Sequence, residues 1–258
     1  MEKLNNLFKE KNDLLSVYFT AGYPELDSTV PVLEALEAGG ADFVEIGMPY
    51  SDPLADGPVI QNSSTRALNN GMSLKVLFDQ LQNITSRVRM PLILMGYLNP
   101  VLRFGIEAFI EKCKETGISG LIIPDLPYEN YLEEYHDLFS ENQISNIFLI
   151  TPQTPEERVR KLDKASTSFM YMVSSAAVTG AREGLSPQQI EYFERINAME
   201  LRTPRMVGFG ISNHDTFRSV CQYAHGAIVG SAFIKHLTQN GDDPGKIRDF
   251  IKKIKKGE

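Results

Sequence analysis

The sequence predicts an α/β protein folded as a single-domain (β/α)8, or TIM, barrel with an extra N-terminal helix, one domain covering residues 1–258. Three observations predict it. Eight short apolar, β-branched runs recur along the chain, amphipathic stretches of helical period separate them, and glycine-bearing turns follow the seventh and eighth runs. Strict alternation of strand and helix requires a parallel sheet with right-handed crossovers, and eight such units close most simply into a barrel. An open doubly wound sheet is the other architecture compatible with alternation, but no Gly-x-Gly-x-x-Gly follows the first run.

Met1 opens a short amphipathic stretch of mixed charge, the extra helix, with no apolar leader segment. The expected strands are 14–20, 42–46, 91–95, 120–123, 146–150, 168–173, 205–209 and 226–229, each short and rich in Val, Ile, Leu or aromatic residues. Helical periodicity fills 28–38, 100–116, 131–139, 155–164, 187–197 and 214–223. Gly39-Gly40, Gly117 and Gly241 stand where helices should stop, because glycine tolerates the left-handed cap conformation. A further helix opens near Ser231, and the basic stretch 246–256 reads as a solvated helix end.

Composition narrows the function classes. Hydrophobic residues make up 42% of the chain and charged residues 23%, as in folded globular proteins. A net charge of -7 excludes a nucleic-acid binder, which needs a basic face for phosphates. Cys113 and Cys221 fall in helical segments outside any Cys-x-x-Cys or Cys/His cluster, which points to a reducing, cytoplasmic setting. No run of eighteen apolar residues suggests membrane insertion. The histidines at 136, 214, 225 and 236 lack metal-ligand spacing, so no metal site is expected.

The densest chemical signal is Glu45-Ile-Gly-Met-Pro-Tyr-Ser-Asp-Pro-Leu-Ala-Asp56-Gly-Pro, running from the second strand into a turn at the end where barrel active sites are built. With period 2, Phe43, Glu45 and Gly47 share one face. Burial there would raise the carboxyl pKa and make Glu45 a general acid or base; the plain alternative is a barrel-filling glutamate paired with a tyrosine or lysine. Asp56 is either a turn former or helix cap, or a carboxylate accepting a substrate N–H. Tyr171 shares a face with Phe169 and Val173 on the sixth strand, so it either approaches Glu45 across a barrel layer or is a core aromatic. Val178-Thr-Gly180, Gly208-Phe-Gly210-Ile-Ser212 and Gly230-Ser231-Ala232 let backbone come close to a ligand. Together with the helix start near Ser231 they suit a phosphate. Asp125 binds a ligand or caps the next helix, and 174–187 has the composition of a lid or of an ordinary loop.

These motifs, with Phe19-Thr-Ala-Gly-Tyr-Pro24 and Pro124-Asp-Leu-Pro127, run in order along nearly the whole chain, and the sequence resembles the tryptophan synthase alpha subunits. The resemblance implies retro-aldol cleavage of indole-3-glycerol phosphate to indole and glyceraldehyde 3-phosphate, a lyase half-reaction of tryptophan biosynthesis. By the same resemblance Glu45 is the acid/base and Asp56 binds the indole N–H. Tyr171 lines the substrate pocket, Gly180, Gly210, Gly230 and Ser231 hold the phosphate, and Thr179 bonds Asp56 when the site closes. No cofactor is implied in this chain; pyridoxal phosphate is expected in a beta subunit that receives indole in an α2β2 complex. The chain departs from the family pattern at Ser175, where arginine is common, at Ala177, where glycine is, and at Tyr50, where phenylalanine is. The alternative is a catalytically silent barrel that binds a phosphate ligand and only activates its partner, which the intact Glu45 and Asp56 argue against.

Overall fold

The computed structural model describes residues 1–53, 56–174, 184–208 and 210–257. Nine strand segments occur among them: β1 Leu14–Thr20, β2 Phe43–Gly47, β3 Leu92–Met95, β4 Ile118–Ile122, β5 Ser145–Asn146, β6 Leu149–Ile150, β7 Met170–Val173, β8 Arg205–Gly208 and β9 Gly226–Val229. All pair in parallel, in the order β5-β4-β3-β2-β1-β9-β8-β7-β6. The outer members of that order are two halves of the single run expected at 146–150. At the break the Ile147 N–H donates to the Leu121 carbonyl on the β4 side, and the Tyr171 N–H donates to the Phe148 carbonyl on the β7 side, both at 2.9 Å. The chain thus passes its pairing from one neighbour to the other, and the sheet closes into a barrel.

Helices lie between the strands, and two differ from the sequence expectation for local reasons. The helix expected at 100–116 is two, Leu98–Phe104 and Ile106–Glu115, because Gly105 between them adopts φ 96°. The one expected at 131–139 is Tyr128–Asn130 and His136–Glu141, joined by a π-turn over Tyr131–Tyr135. Pro187–Asn197 matches its expected bounds, opened by a Ser186/Gln189 capping box with proline in the first turn. The helix Ser231–Asn240 is followed by Pro244–Lys256, which carries the basic run and buries Ile247, Ile251 and Ile254. Ile251 abuts Gly39 of the helix Thr29–Gly39.

The extra N-terminal helix, Glu2–Glu10, has a specific task. Its Phe8 ring lies 6.1 Å from Phe43 and 5.4 Å from Phe169, which are themselves 5.5 Å apart. Phe43 begins β2 and Phe169 immediately precedes β7, so the three rings plug the N-terminal end of the barrel. This also fixes the faces: Phe43, Glu45 and Gly47 point inward from β2.

The barrel wall tolerates no side chain where β9 begins. A Cβ on Gly226 would stand 2.0 Å from the Leu14 carbonyl oxygen, and both belong to paired backbone. Gly226→Ala is therefore expected to destabilise the fold by about 3 kcal/mol, read by urea unfolding, since backbone cannot yield as a side-chain tip can.

Candidate active site

Strand β1 is buried along its whole length, yet Ser16, Tyr18 and Thr20 alternate with Leu15, Val17 and Phe19. Register sets Ser16 beside Phe43, Tyr18 beside Glu45 and Thr20 beside Gly47, so one stripe of the interior carries hydroxyls against the carboxyl of β2. Glu45 is 0% exposed, and neither of its oxygens has a hydrogen-bond partner among the described residues. Removing a carboxyl from water disfavours its charged form, and burial pushes the Glu45 pKa up to about 8; the nearby Ser16 hydroxyl tempers the rise without forming a hydrogen bond. At pH 7 this is a neutral carboxylic acid with a proton to give. Among the described residues neither a tyrosine nor a lysine bonds the carboxyl, so the pairing that the plain alternative requires is absent.

Two phenols extend toward the same region. Burial raises the Tyr171 pKa well above its ordinary value, and the field of Glu45 adds to it. Tyr18 is likewise raised, by burial first and then by the field of Asp56. Two glycines leave room for them: a Cβ on Gly47 would stand 2.2 Å from the Tyr18 hydroxyl oxygen, and one on Gly208 would stand 2.0 Å from that of Tyr171.

Asp56 lies at the rim, half-buried, where its Oδ2 accepts a hydrogen bond of 3.2 Å from the Tyr97 hydroxyl. Burial raises its pKa and the Tyr97 bond offsets part of the rise. It is not a helix cap, because Gly57 holds that position at Pro58–Asn69 with no side-chain bond. The Tyr97 ring in turn packs, tilted by 35°, against Tyr50 at 5.4 Å, and the Tyr50 hydroxyl accepts from Asn99. Asp125 accepts the Leu98 N–H at 2.9 Å, so it caps the helix of the preceding unit rather than its own.

A cavity of about 500 Å³ opens at this end of the barrel. Tyr18, Asp56, Ile60 and Tyr171 line one side, and Gly210, Ser212, Gly230, Ser231 and Lys235 line the other. Glu45 is enclosed and does not itself line the cavity; the two phenols in its field do. On the glycine side, Gly210 sits at φ 81° and Gly230 opens Ser231–Asn240 with no side-chain cap. The N–H groups of Ser231 and Ala232 have no acceptor within their own helix, and the positive end of its dipole faces the cavity. Such a terminus is suited to an anion. Thr179 and Gly180, expected at the lid and the phosphate site, lie outside the described residues. Among the described residues no group of three or more His, Cys, Asp or Glu is placed to hold a metal ion.

Sequence reasoning missed Tyr18, Tyr97 and Lys235. The alternation of Ser16, Tyr18 and Thr20 within an apolar strand was a readable signal for the first, while Lys235 follows only from the helix face turned to the cavity.

The family model described as tryptophan synthase alpha chain matches residues 4–256. The chain belongs to the tryptophan synthase alpha chain family. A tryptophan synthase alpha chain of Flavobacterium johnsoniae is 54% identical over 99% of this chain and 100% of its own length, and that of Christiangramia forsetii is 52% identical over 99% of both. Among solved structures, tryptophan synthase from M. tuberculosis in its aminoacrylate-bound form superposes with a TM-score of 0.86 at 29% identity, covering 99% of this chain and 98% of that one. A mutant alpha-subunit from Pyrococcus furiosus gives 0.86 at 32% identity over 95% and 98%. These neighbours share the barrel, so in this alpha chain the broken fifth strand is a local feature of a TIM barrel.

Proposed function

We propose that this alpha chain cleaves indole-3-glycerol phosphate to indole and glyceraldehyde 3-phosphate, with Glu45 as the proton donor. The observation that carries the reading is a fully enclosed carboxyl whose pKa is pushed up to about 8, beside a cavity with an anion-suited helix terminus opposite. The phosphate rests against Gly210, Gly230 and Ser231, and Lys235 adds a cation to the wall. The indole ring then points toward Tyr18, Tyr171 and Asp56.

Chemistry follows from where protons can go. Glu45, turning its side chain toward the ring, protonates the indole carbon that carries the side chain and gives an indolenine cation. The Asp56 carboxylate, oriented by Tyr97, accepts the ring N–H and stabilises the positive nitrogen. The Glu45 carboxylate left behind is a strong enough base to take the proton of the adjacent side-chain hydroxyl as the carbon–carbon bond breaks. Indole and the aldehyde leave, and Glu45 is again protonated.

The same reading gives the chain a beta subunit, carrying pyridoxal phosphate, in a cytoplasmic α2β2 assembly, and makes residues 1–258 one catalytic domain. Among the described residues the exposed large hydrophobics are Leu102 and Leu132, at 48% and 41%, on the segments that follow β3 and β4 at the mouth of the barrel. Exposed apolar groups beside a site suit a partner that receives an apolar product. Among the described residues no helix is long and apolar enough to cross a membrane.

The test is release of indole from indole-3-glycerol phosphate, assayed with a beta subunit present. Glycerol phosphate is expected to inhibit competitively and, at about 100 times its dissociation constant, to raise the melting temperature by about 5–10 °C. Absence of indole release, or inhibition that substrate does not relieve, overturns the reading.

A further inference from the structure

At the end of the barrel opposite the active site, a second cleft of about 310 Å³ lies between the start of β8, the turn before β9 and the ends of two helices. Its wall carries Arg205, His225, Asn197, Gln222 and Asn12. Arg205 is only partly exposed, and no carboxylate lies within 4.0 Å of its guanidinium among the described residues. Its guanidinium makes two hydrogen bonds, from Nη2 to the Asn197 side-chain oxygen at 3.0 Å and from Nη1 to the Thr203 carbonyl at 3.5 Å. The Nε–H is buried without a partner. Nearby acids are already engaged: Asp163 accepts the Thr203 N–H at 2.9 Å, and Asp13 pairs with Arg218.

His225 adds a second donor. Its Nδ1 accepts the Arg205 backbone N–H at 3.2 Å, so the neutral ring carries its proton on Nε2. Burial, and then the charge of Arg205, hold the imidazole pKa below its ordinary value, which keeps the ring neutral. The cleft therefore presents one cation, one N–H ring and three carboxamides, with no carboxylate bonded to the guanidinium and only the more distant Asp163 in its field, in a chain whose net charge is -7. A charge removed from water without a partner is costly, and a planar guanidinium fork matches a carboxylate in two parallel hydrogen bonds.

We propose that this cleft is a binding site for a small carboxylate anion, held by Arg205 and separate from the phosphate cradle. Occupancy reinforces the Arg205–Asn197 bond that joins the start of β8 to the end of helix Pro187–Asn197, so it acts on stability and leaves the chemistry at the other end of the barrel unchanged.

The probe is sodium malonate, titrated into 15N-labelled protein with glycerol phosphate saturating the active site and sodium chloride matching the ionic strength. The Arg205 Nε–H resonance, identified by its loss in Arg205→Lys, is expected to shift saturably at millimolar malonate. The melting temperature of the unlabelled protein should rise by about 2–4 °C. Asn12→Asp, which fixes a carboxylate on the rim and leaves Arg205 in place, should abolish the gain in melting temperature with indole release unaltered. A melting-temperature gain as large in Asn12→Asp as in the parent overturns the proposal, as does a wild-type spectrum whose arginine Nε–H signals stay fixed up to about 50 mM malonate. The first result assigns the gain to general salt stabilisation. The wild-type measurements stand whether or not Arg205→Lys folds.

Discussion

Glu45→Gln is expected to abolish indole release while leaving substrate affinity within a few-fold. Glutamine fills the same volume and presents an amide to the same phenols, so the cavity, the phosphate turns and Asp56 keep their places. What it lacks is a transferable proton. Loss of general acid–base catalysis alone is worth about 10² to 10⁴ in rate, and Glu45 acts twice in the cycle, so the fall in kcat should reach the upper end of that range or exceed it. KM, set by phosphate and ring contacts, should move little, the signature of an interaction made only in the transition state. The parent enzyme adds a second reading: with the Glu45 pKa at about 8 in the free chain, kcat/KM should decline as pH rises through 8, because the donor is then ionised before substrate arrives. Turnover in Glu45→Gln within ten-fold of the parent would remove Glu45 from the mechanism.

Much of this was legible in the sequence because a barrel strand obeys a simple period. Alternation put Glu45 on one face with Phe43 and Gly47, and Tyr171 on one face with Phe169. The structure sets Phe43 against Phe169 and leaves Tyr171 in the field of Glu45. Two of the glycine turns were legible for a similar reason, since backbone that can come close serves an anion, and Gly210 and Gly230 both line the cavity. What stayed hidden was long-range. Asp125 caps a helix 27 residues earlier in the chain, a contact that no local window contains. Gly105 breaks a helix that the apolar period alone carries straight through, because one glycine in a periodic stretch is as often tolerated as not. The gap at Ile147 and Phe148 was hidden differently: both are good strand formers, and only their pairing to opposite neighbours interrupts the strand.

The same carboxyl that serves catalysis should make the fold less stable as pH rises. In the folded chain the Glu45 pKa is about 8 and the ordinary value is 4.5, so between those limits the folded state holds a proton that the unfolded state has released. Stability must then fall with increasing pH across that window and level off above it. At about 1.4 kcal/mol per pH unit the loss totals about 4 to 5 kcal/mol. Glu45→Gln cannot titrate. Its stability relative to the parent should therefore climb by that amount from pH 5 to pH 9, a gap of about 10 °C in melting temperature for a chain of this size. Absolute stabilities do not isolate the effect, because a buried amide without partners carries its own cost at every pH. The pH dependence of the difference does. Asp56, whose pKa burial also raises, contributes with the same sign in both proteins and cancels, as do His225 and His236, lowered by burial. A difference that stays flat from pH 5 to pH 9 would mean that Glu45 is ionised in the folded protein at neutral pH, and the proton donor would have to be sought elsewhere in the cavity.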